Sequence, residues 1–268
     1  MNTKLNTGAE MPLLGLGVYD MHNDEAIEAV IHALKTGYRL IDTASSYHNE
    51  KQVGIAVNNS GVPRDDIFIT TKVNNSQQGY DETLRAFDES MENLDLGYID
   101  LYLLHWPLKS KRKDTWKAME RLYEEKKVKA IGVANYLLPF LDELETYGNI
   151  TPAVNQVEFS PWLFLEDLLQ YCRAKNIILQ AYTPLARGKK FNDPRLLSIT
   201  EKYGKSPAQI VIRWNLQLGV SAIPKSSNPS RIEENFDVFD FSLDETDMSV
   251  LASMHENFRI VDDPMVHL

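Results

Sequence analysis

Gly15-Leu16-Gly17-Val18-Tyr19-Asp20 decides between two architectures. A strand entering a helix through G-x-G-x-x-G would mark an open, doubly wound sheet that seats a dinucleotide on its first turn. The third glycine is needed there for close helix–strand packing. Asp20 occupies that third position, and strand character runs on through Val18 and Tyr19. A G-x-G alone is not a fingerprint, so the doubly wound fold is rejected.

Working outward from this stretch, β-rich apolar runs recur at 13–19, 38–43, 67–73, 99–105, 130–134, 153–159, 177–183 and 221–224. Amphipathic segments fall between and after them at 24–35, 49–58, 81–94, 114–126, 138–146, 165–175, 207–218 and 230–235. In the first of these Ala26, Val30, Ala33 and Leu34 form one stripe, with Gly37 as the C-terminal stop. Strands alternating with helices demand parallel pairing, because each crossover returns the chain to the same end of the sheet. Eight such repeats predict an α/β (β/α)8 TIM barrel. Residues 4–11 predict an N-terminal β-hairpin turning near Thr7-Gly8 and capping the barrel floor, and 194–202 and 243–254 predict two extra helices before a tail at 255–268. No low-complexity linker interrupts the pattern, so residues 1–268 are read as a single domain.

Composition narrows the function. A net charge of −10 over 268 residues would repel a polyphosphate backbone, which argues against nucleic-acid binding. Cys172 is the only cysteine, so no internal disulfide forms; it reads as a small buried filler in a reducing compartment. The N-terminus has no apolar signal region and no stretch approaches the length of a membrane span, which predicts a soluble, cytoplasmic protein. The six histidines include no H-x-H or H-E-x-x-H spacing, and only His105 falls at a predicted strand end, so no metal site is expected.

In a barrel the chemistry collects at the C-terminal ends of the strands. Asp42 ends the second strand with Tyr47 in the loop beyond it, Lys72 stands near the end of the third, and His105 ends the fourth. Each has an ordinary structural explanation by itself: a helix cap, an amphipathic rim residue, a satisfied core histidine. A lysine following Ile67-Phe68-Ile69-Thr70-Thr71 is harder to explain so, because its charge needs a partner at the barrel mouth. Asp42 supplies one. An ammonium fixed in this way is expected to lower the Tyr47 phenol and ready it to protonate a developing alkoxide, while a neutral His105 orients the same carbonyl oxygen. Beyond the eighth strand, Lys225, Ser226 and Arg231 surround a helix N-terminus, a fit for phosphate.

Together these residues resemble the aldo-keto reductase family over nearly the whole chain. The motifs are Gly15-Leu16-Gly17, Ile41-Asp42-Thr43-Ala44 with Tyr47 and Asn49-Glu50, Thr71-Lys72, Leu104-His105-Trp106-Pro107, Ile131-Gly132-Val133-Ala134-Asn135, Asn155-Gln156, Ala181-Tyr182-Thr183-Pro184-Leu185, and Ile223-Pro224-Lys225-Ser226 with Arg231, Glu234 and Asn235. The likeness is to the prokaryotic branch of 2,5-diketo-gluconate reductases and general aldehyde or α-ketoaldehyde reductases. It implies a monomer that reduces small-molecule carbonyls with NADPH in preference to NADH. It also implies Tyr47 as proton donor, supported by Asp42, Lys72 and His105. Asn135 and Gln156 would then hold the nicotinamide carboxamide and Tyr182 would stack on its ring. The rest of the cofactor would meet Gly17, Val18, Asp42, Thr183, Leu185, Lys225, Ser226, Arg231, Glu234 and Asn235. Substrate would meet Tyr19, Tyr47, Asn74, His105 and Trp106.

Two positions depart from the family pattern. Ala134 replaces the usual serine before Asn135, and Asn74 stands where relatives often carry tryptophan, which predicts a wider, more polar pocket edge. Two other readings stay open on sequence: a Schiff-base lyase using Lys72, and a sensor that binds NADP(H) without turnover.

Overall fold

In the computed structural model, which describes residues 1–267, the chain opens on an antiparallel hairpin of β1 (Asn2–Lys4) and β2 (Glu10–Pro12). The turn lies between them, with Gly8 at φ +90°, so the hairpin extends one to two residues beyond the predicted 4–11 at each end. Leu5 and Met11 are buried in one cluster with Leu40, Phe68, Leu101, Ala130 and Val154, which closes the barrel floor.

Eight parallel strands follow: β3 (Leu16–Gly17), β4 (Leu40–Asp42), β5 (Phe68–Val73), β6 (Ile99–Leu104), β7 (Val128–Ala134), β8 (Val154–Glu158), β9 (Ile178–Tyr182) and β10 (Ser221–Ala222). They pair in sequence order, and parallel bridges Leu14–Ala222 and Gly17–Lys225 join the last strand to the first. The ring is therefore closed, as a (β/α)8 barrel requires. Helices α1 (Asn23–Thr36), α2 (Glu50–Asn59), α3 (Tyr80–Leu94), α4 (Arg112–Glu124), α5 (Leu138–Glu145) and α6 (Glu166–Ala174) make the successive crossovers. Two helices, α7 (Pro194–Tyr203) and α8 (Pro207–Gln217), lie between β9 and β10; α9 (Pro229–Phe236) and α10 (Glu245–Ala252) follow. No helix among the described residues is long and apolar enough to cross a membrane.

The seam explains the sequence that opened the reading. Pairing between β3 and β10 is sparser than the predicted runs 13–19 and 221–224, partly because Pro224 has no N–H to give the ladder. Gly15 N–H donates to Ala222 O at 2.9 Å and Gly17 N–H to Pro224 O at 3.3 Å. A Cβ on Gly15 would lie 2.5 Å from Leu40 Cγ, and one on Gly17 2.9 Å from the Ile223 carbonyl oxygen. The two glycines let the barrel close. Gly17→Ala pushes against backbone, which cannot rotate away, so it is expected to cost about 1–3 kcal/mol. Differential scanning calorimetry would register this as a fall in Tm of roughly 2–4 °C per kcal/mol.

Alternation along the strands sorts the interior into layers. Leu40, Phe68, Leu101, Ala130 and Val154, with Ile178 packed against them, fill the floor, whereas Asp42, Lys72, Gln156 and Tyr182 stand two or four residues further along β4, β5, β8 and β9. Ile41, Ile69, Tyr102, Ile131 and Leu179, on the opposite parity, pack outward against the helices. The apolar interior thus gives way to polar side chains at the C-terminal end. The tail runs back over that end. Glu158 accepts the N–H groups of Ile260 (2.6 Å) and Val261 (3.1 Å), and the His267 ring meets Trp106 edge-on. Leu268, the last residue of the predicted tail 255–268, lies outside the described residues.

Candidate active site

One cleft of about 1090 Å³ opens at the C-terminal ends of the strands. Asp42 is the last residue of β4, Lys72 the fifth of β5, and His105 and Asn135 follow β6 and β7 directly. Tyr47 comes from a single 3-10 turn, Ser45–Tyr47, tied to β5 by Ser45 Oγ donating to Lys72 O at 2.9 Å. Asn49, fully buried, pins the far side of this turn: its Oδ1 accepts from Thr43 Oγ1 (2.6 Å) and its Nδ2 donates to Val18 O (2.8 Å) and Met21 O (3.0 Å).

Lys72 has no exposed surface, and its ammonium donates to Asp42 Oδ1 (2.5 Å), Thr43 O (2.8 Å) and Tyr47 Oη (3.4 Å). Gln156 Nε2 donates to the other Asp42 oxygen at 2.6 Å. Burial raises the Asp42 carboxyl and lowers the Lys72 ammonium from their ordinary ranges, and each partner offsets part of the other's shift. The Tyr47 phenol moves opposite to the expectation from sequence. Burial first, then the negative charge of Asp42 and the neighbouring Tyr19, holds it well above its ordinary value, so it keeps its proton. His105 is pushed down to about 3, chiefly by burial and then by Lys72, and is neutral. Ser46 Oγ lies 3.4 Å from His105 Nδ1; with Ser46 as donor, the ring proton sits on Nε2.

Asn135 accepts from Tyr182 Oη (2.7 Å) and donates to His105 O (2.9 Å), which leaves one amide N–H uncommitted; Ala134 before it brings no hydroxyl. At the other end of the cleft Lys225, Ser226 and Arg231 surround the first turn of α9, capped by Asn228 Oδ1 accepting from Arg231 N at 3.1 Å. Among the described residues neither Lys225 nor Arg231 forms an ion pair. Two unpaired cations in a chain of net charge −10 are a donor set suited to a phosphorylated cofactor.

Gly17, Thr183, Leu185, Glu234 and Asn235 also line the cleft, as do Tyr19 and Trp106. Three predicted residues do not, the first being Lys72, which lies wholly buried behind Asp42 and Tyr47 and acts on the cleft through them. Val18 is wholly buried, its N–H spent on Asp42 O, because strand parity turns it outward to the helices. Asn74 is turned onto its own loop, its Oδ1 accepting from Ser76 N (3.1 Å) and Ser76 Oγ (3.2 Å), and it is not among the residues lining the cleft. Sequence reasoning missed Ser46, Arg187 and Gln180. Gln180 was legible, since it faces inward two residues before Tyr182. Nothing local signalled that Thr183, Ala186 and Arg187 adopt φ near +50°, a conformation costing roughly 1–3 kcal/mol each and concentrated at functional loops. No cluster of three His, Cys, Asp or Glu side chains among the described residues is placed to hold a metal ion.

Residues 13–256 match the model of the Aldo/keto reductase family. Glyoxal reductase of Bacillus subtilis (strain 168) is 49% identical over 262 residues, spanning 97% of this chain and 95% of that protein. The 9,11-endoperoxide prostaglandin H2 reductase of Trypanosoma cruzi is 49% identical over 264 residues, spanning 97% and 93%. The crystal structure of a Gox0644 mutant in complex with NADPH superimposes with a TM-score of 0.94 at 40% identity, covering 99% of this chain and 97% of that one. With nearly the whole barrel inside that match and relatives near half identical along its length, this chain belongs to the aldo/keto reductase family.

Proposed function

We propose that this protein reduces aldehydes and ketones to alcohols with NADPH, Tyr47 giving the proton and Asp42, Lys72 and His105 supporting it. One observation carries the reading: a single cleft holds Tyr47 Oη 3.4 Å from the buried Lys72 ammonium at one end and the unpaired Lys225 and Arg231 at the other. NADPH, when bound, supplies the hydride. Tyr47 and His105 receive the carbonyl oxygen between them, and as that oxygen gains charge the Tyr47 phenol passes it a proton. Lys72 acts after that transfer, by stabilising the phenolate left behind. Asn135 and Gln156 hold the carboxamide, Tyr182 meets the ring, and Lys225, Ser226 and Arg231 hold the 2′-phosphate. Tyr19, 53% exposed, and Trp106 leave the mouth open, which suits small aldehydes and α-ketoaldehydes.

A Schiff-base role for Lys72 loses support, because its nitrogen has no exposed surface and is clamped by a carboxylate and a carbonyl. The deciding experiment follows loss of NADPH absorbance with a panel of aldehydes, α-ketoaldehydes and diketo sugars. Tight NADPH binding with no carbonyl turned over would favour the sensor instead. In Arg231→Ala the Kd for NADPH is expected to rise by roughly 10- to 100-fold, the range for a lost hydrogen bond to a charged group. NADH, lacking the 2′-phosphate, should change by less than about twofold on that account. Equal losses for both would place Arg231 elsewhere on the dinucleotide.

A further inference from the structure

Beneath the Tyr47 end of the cleft runs a line of buried hydrogen-bonding side chains that proton donation does not by itself require. Gln180 Nε2 donates to Ser221 Oγ (3.0 Å), Gln156 Nε2 donates to Gln180 Oε1 (2.7 Å), and the same Gln156 nitrogen donates to Asp42 Oδ2 (2.6 Å). Asp42 and Gln156 are each 2% exposed, and Gln180 and Ser221 not at all.

The direction of these bonds is forced. Lys72 occupies Asp42 Oδ1, so Oδ2 remains as an acceptor and draws the Gln156 nitrogen towards it. The second N–H of that nitrogen then needs an acceptor where water does not reach. Gln180 provides its oxygen, and its nitrogen, turned the other way by that pairing, donates to Ser221 Oγ. Both amide protons of Gln156 are thereby spent inside the protein. Its carbonyl oxygen is the one polar atom left for the cleft that Gln156 lines.

We infer that Gln180 is a positioning residue: through Gln156 it steadies Asp42 against Lys72, and it makes Gln156 present an acceptor, not a donor, to the cleft. This rests on the NADPH reading, since what an acceptor there recognises is the N–H of a primary carboxamide. Without the Gln180 oxygen, Gln156 keeps its bond to Asp42 but is left with an unsatisfied buried N–H, so its amide tilts to find another acceptor and its carbonyl no longer holds one direction in the cleft.

The test compares Kd values for NADP+ and its 3-acetylpyridine analogue, which keeps the ring carbonyl but has methyl in place of the amide nitrogen, by quenching of tryptophan fluorescence. The wild type is expected to favour NADP+ by roughly three- to tenfold, as one neutral hydrogen bond gives. In Gln180→Met this preference falls towards unity through weaker NADP+ binding, with the analogue nearly unaffected. Gln180→Glu still offers Gln156 an oxygen and retains the preference, which a generally loosened site would not. A Gln180→Met protein that melts as a folded chain yet keeps the wild-type ratio overturns the inference. Should that variant not fold, Gln180→Leu decides in its place: it likewise removes the oxygen that Gln156 donates to, and an unchanged ratio there counts equally against the proposal. If the wild type binds neither NADP+ nor NADPH, the functional reading fails first and takes this inference with it.

Discussion

Tyr47→Phe is expected to cut carbonyl reduction by roughly 10²- to 10⁴-fold, the contribution of a positioned proton donor, while NADPH titrates with unchanged affinity. The substitution removes one atom. The ring keeps its edge contacts with Tyr19 (5.1 Å) and His105 (5.9 Å), and Lys72 keeps Asp42 and Thr43 O, so the fold has no reason to suffer. The pH profile adds an independent check. Burial and Lys72 push His105 down to about 3, so kcat/KM should show no break near the ordinary histidine value of about 6.5. On the alkaline side the raised Tyr47 phenol holds its proton beyond its usual range, so activity should persist there as well. A break near 6.5 that disappears in His105→Gln would mean that His105 titrates within the working range and that its burial is incomplete during turnover. Residual turnover in Tyr47→Phe within tenfold of wild type would move the acid elsewhere, with His105 the first residue to examine.

Much of this was legible because strand parity is strict. Once β4 is read as a strand ending at Asp42, the inward positions on the other strands follow, and Lys72, Gln156 and Tyr182 fall at the polar end of the barrel above an apolar floor. The helix positions followed from their stripes to within about two residues. What sequence did not yield depends on three-dimensional quantities. The sign of a charge near Tyr47 is visible in the sequence, but the extent of desolvation is not, and desolvation sets the direction of its shift. Asn74 occupies the expected backbone position just past β5, yet its side chain caps its own turn, a choice made by local hydrogen bonding with Ser76. The left-handed residues between Thr183 and Arg187 are held by their surroundings against their own preferences, and no composition signal marks them. Gly15 and Gly17 show the opposite case. They are informative as close-approach positions once the barrel seam is known, and misleading as half of a dinucleotide motif before it is.

Lys72→Met should lose both stability and chemistry, and the two losses can be separated. Asp42 and Lys72 form a buried pair with bonds to Thr43 O, Gln156 and Tyr47, and deleting the ammonium leaves a carboxylate with Gln156 alone. Removing one member of such a pair costs about 3–5 kcal/mol. Burial already raises the Asp42 carboxyl, and loss of Lys72 raises it further, so the folded variant binds a proton more readily than the unfolded chain. Its deficit is therefore largest above that raised value and shrinks as pH falls towards the unfolded carboxyl range of about 4. Urea titrations at several pH values would follow this. Adding Asp42→Asn removes the stranded charge, and the double variant should regain most of the stability, since replacing both members of a buried pair is often nearly neutral. Activity should not return. The single and double variants are both expected to remain roughly 10²- to 10³-fold slow, as after loss of one preorganised donor. The phenolate formed when Tyr47 gives up its proton then has no cation beside it, whatever the state of residue 42. Recovery of turnover together with stability would show instead that Lys72 serves the fold alone, and that the charge balancing Tyr47 comes from elsewhere in the cleft.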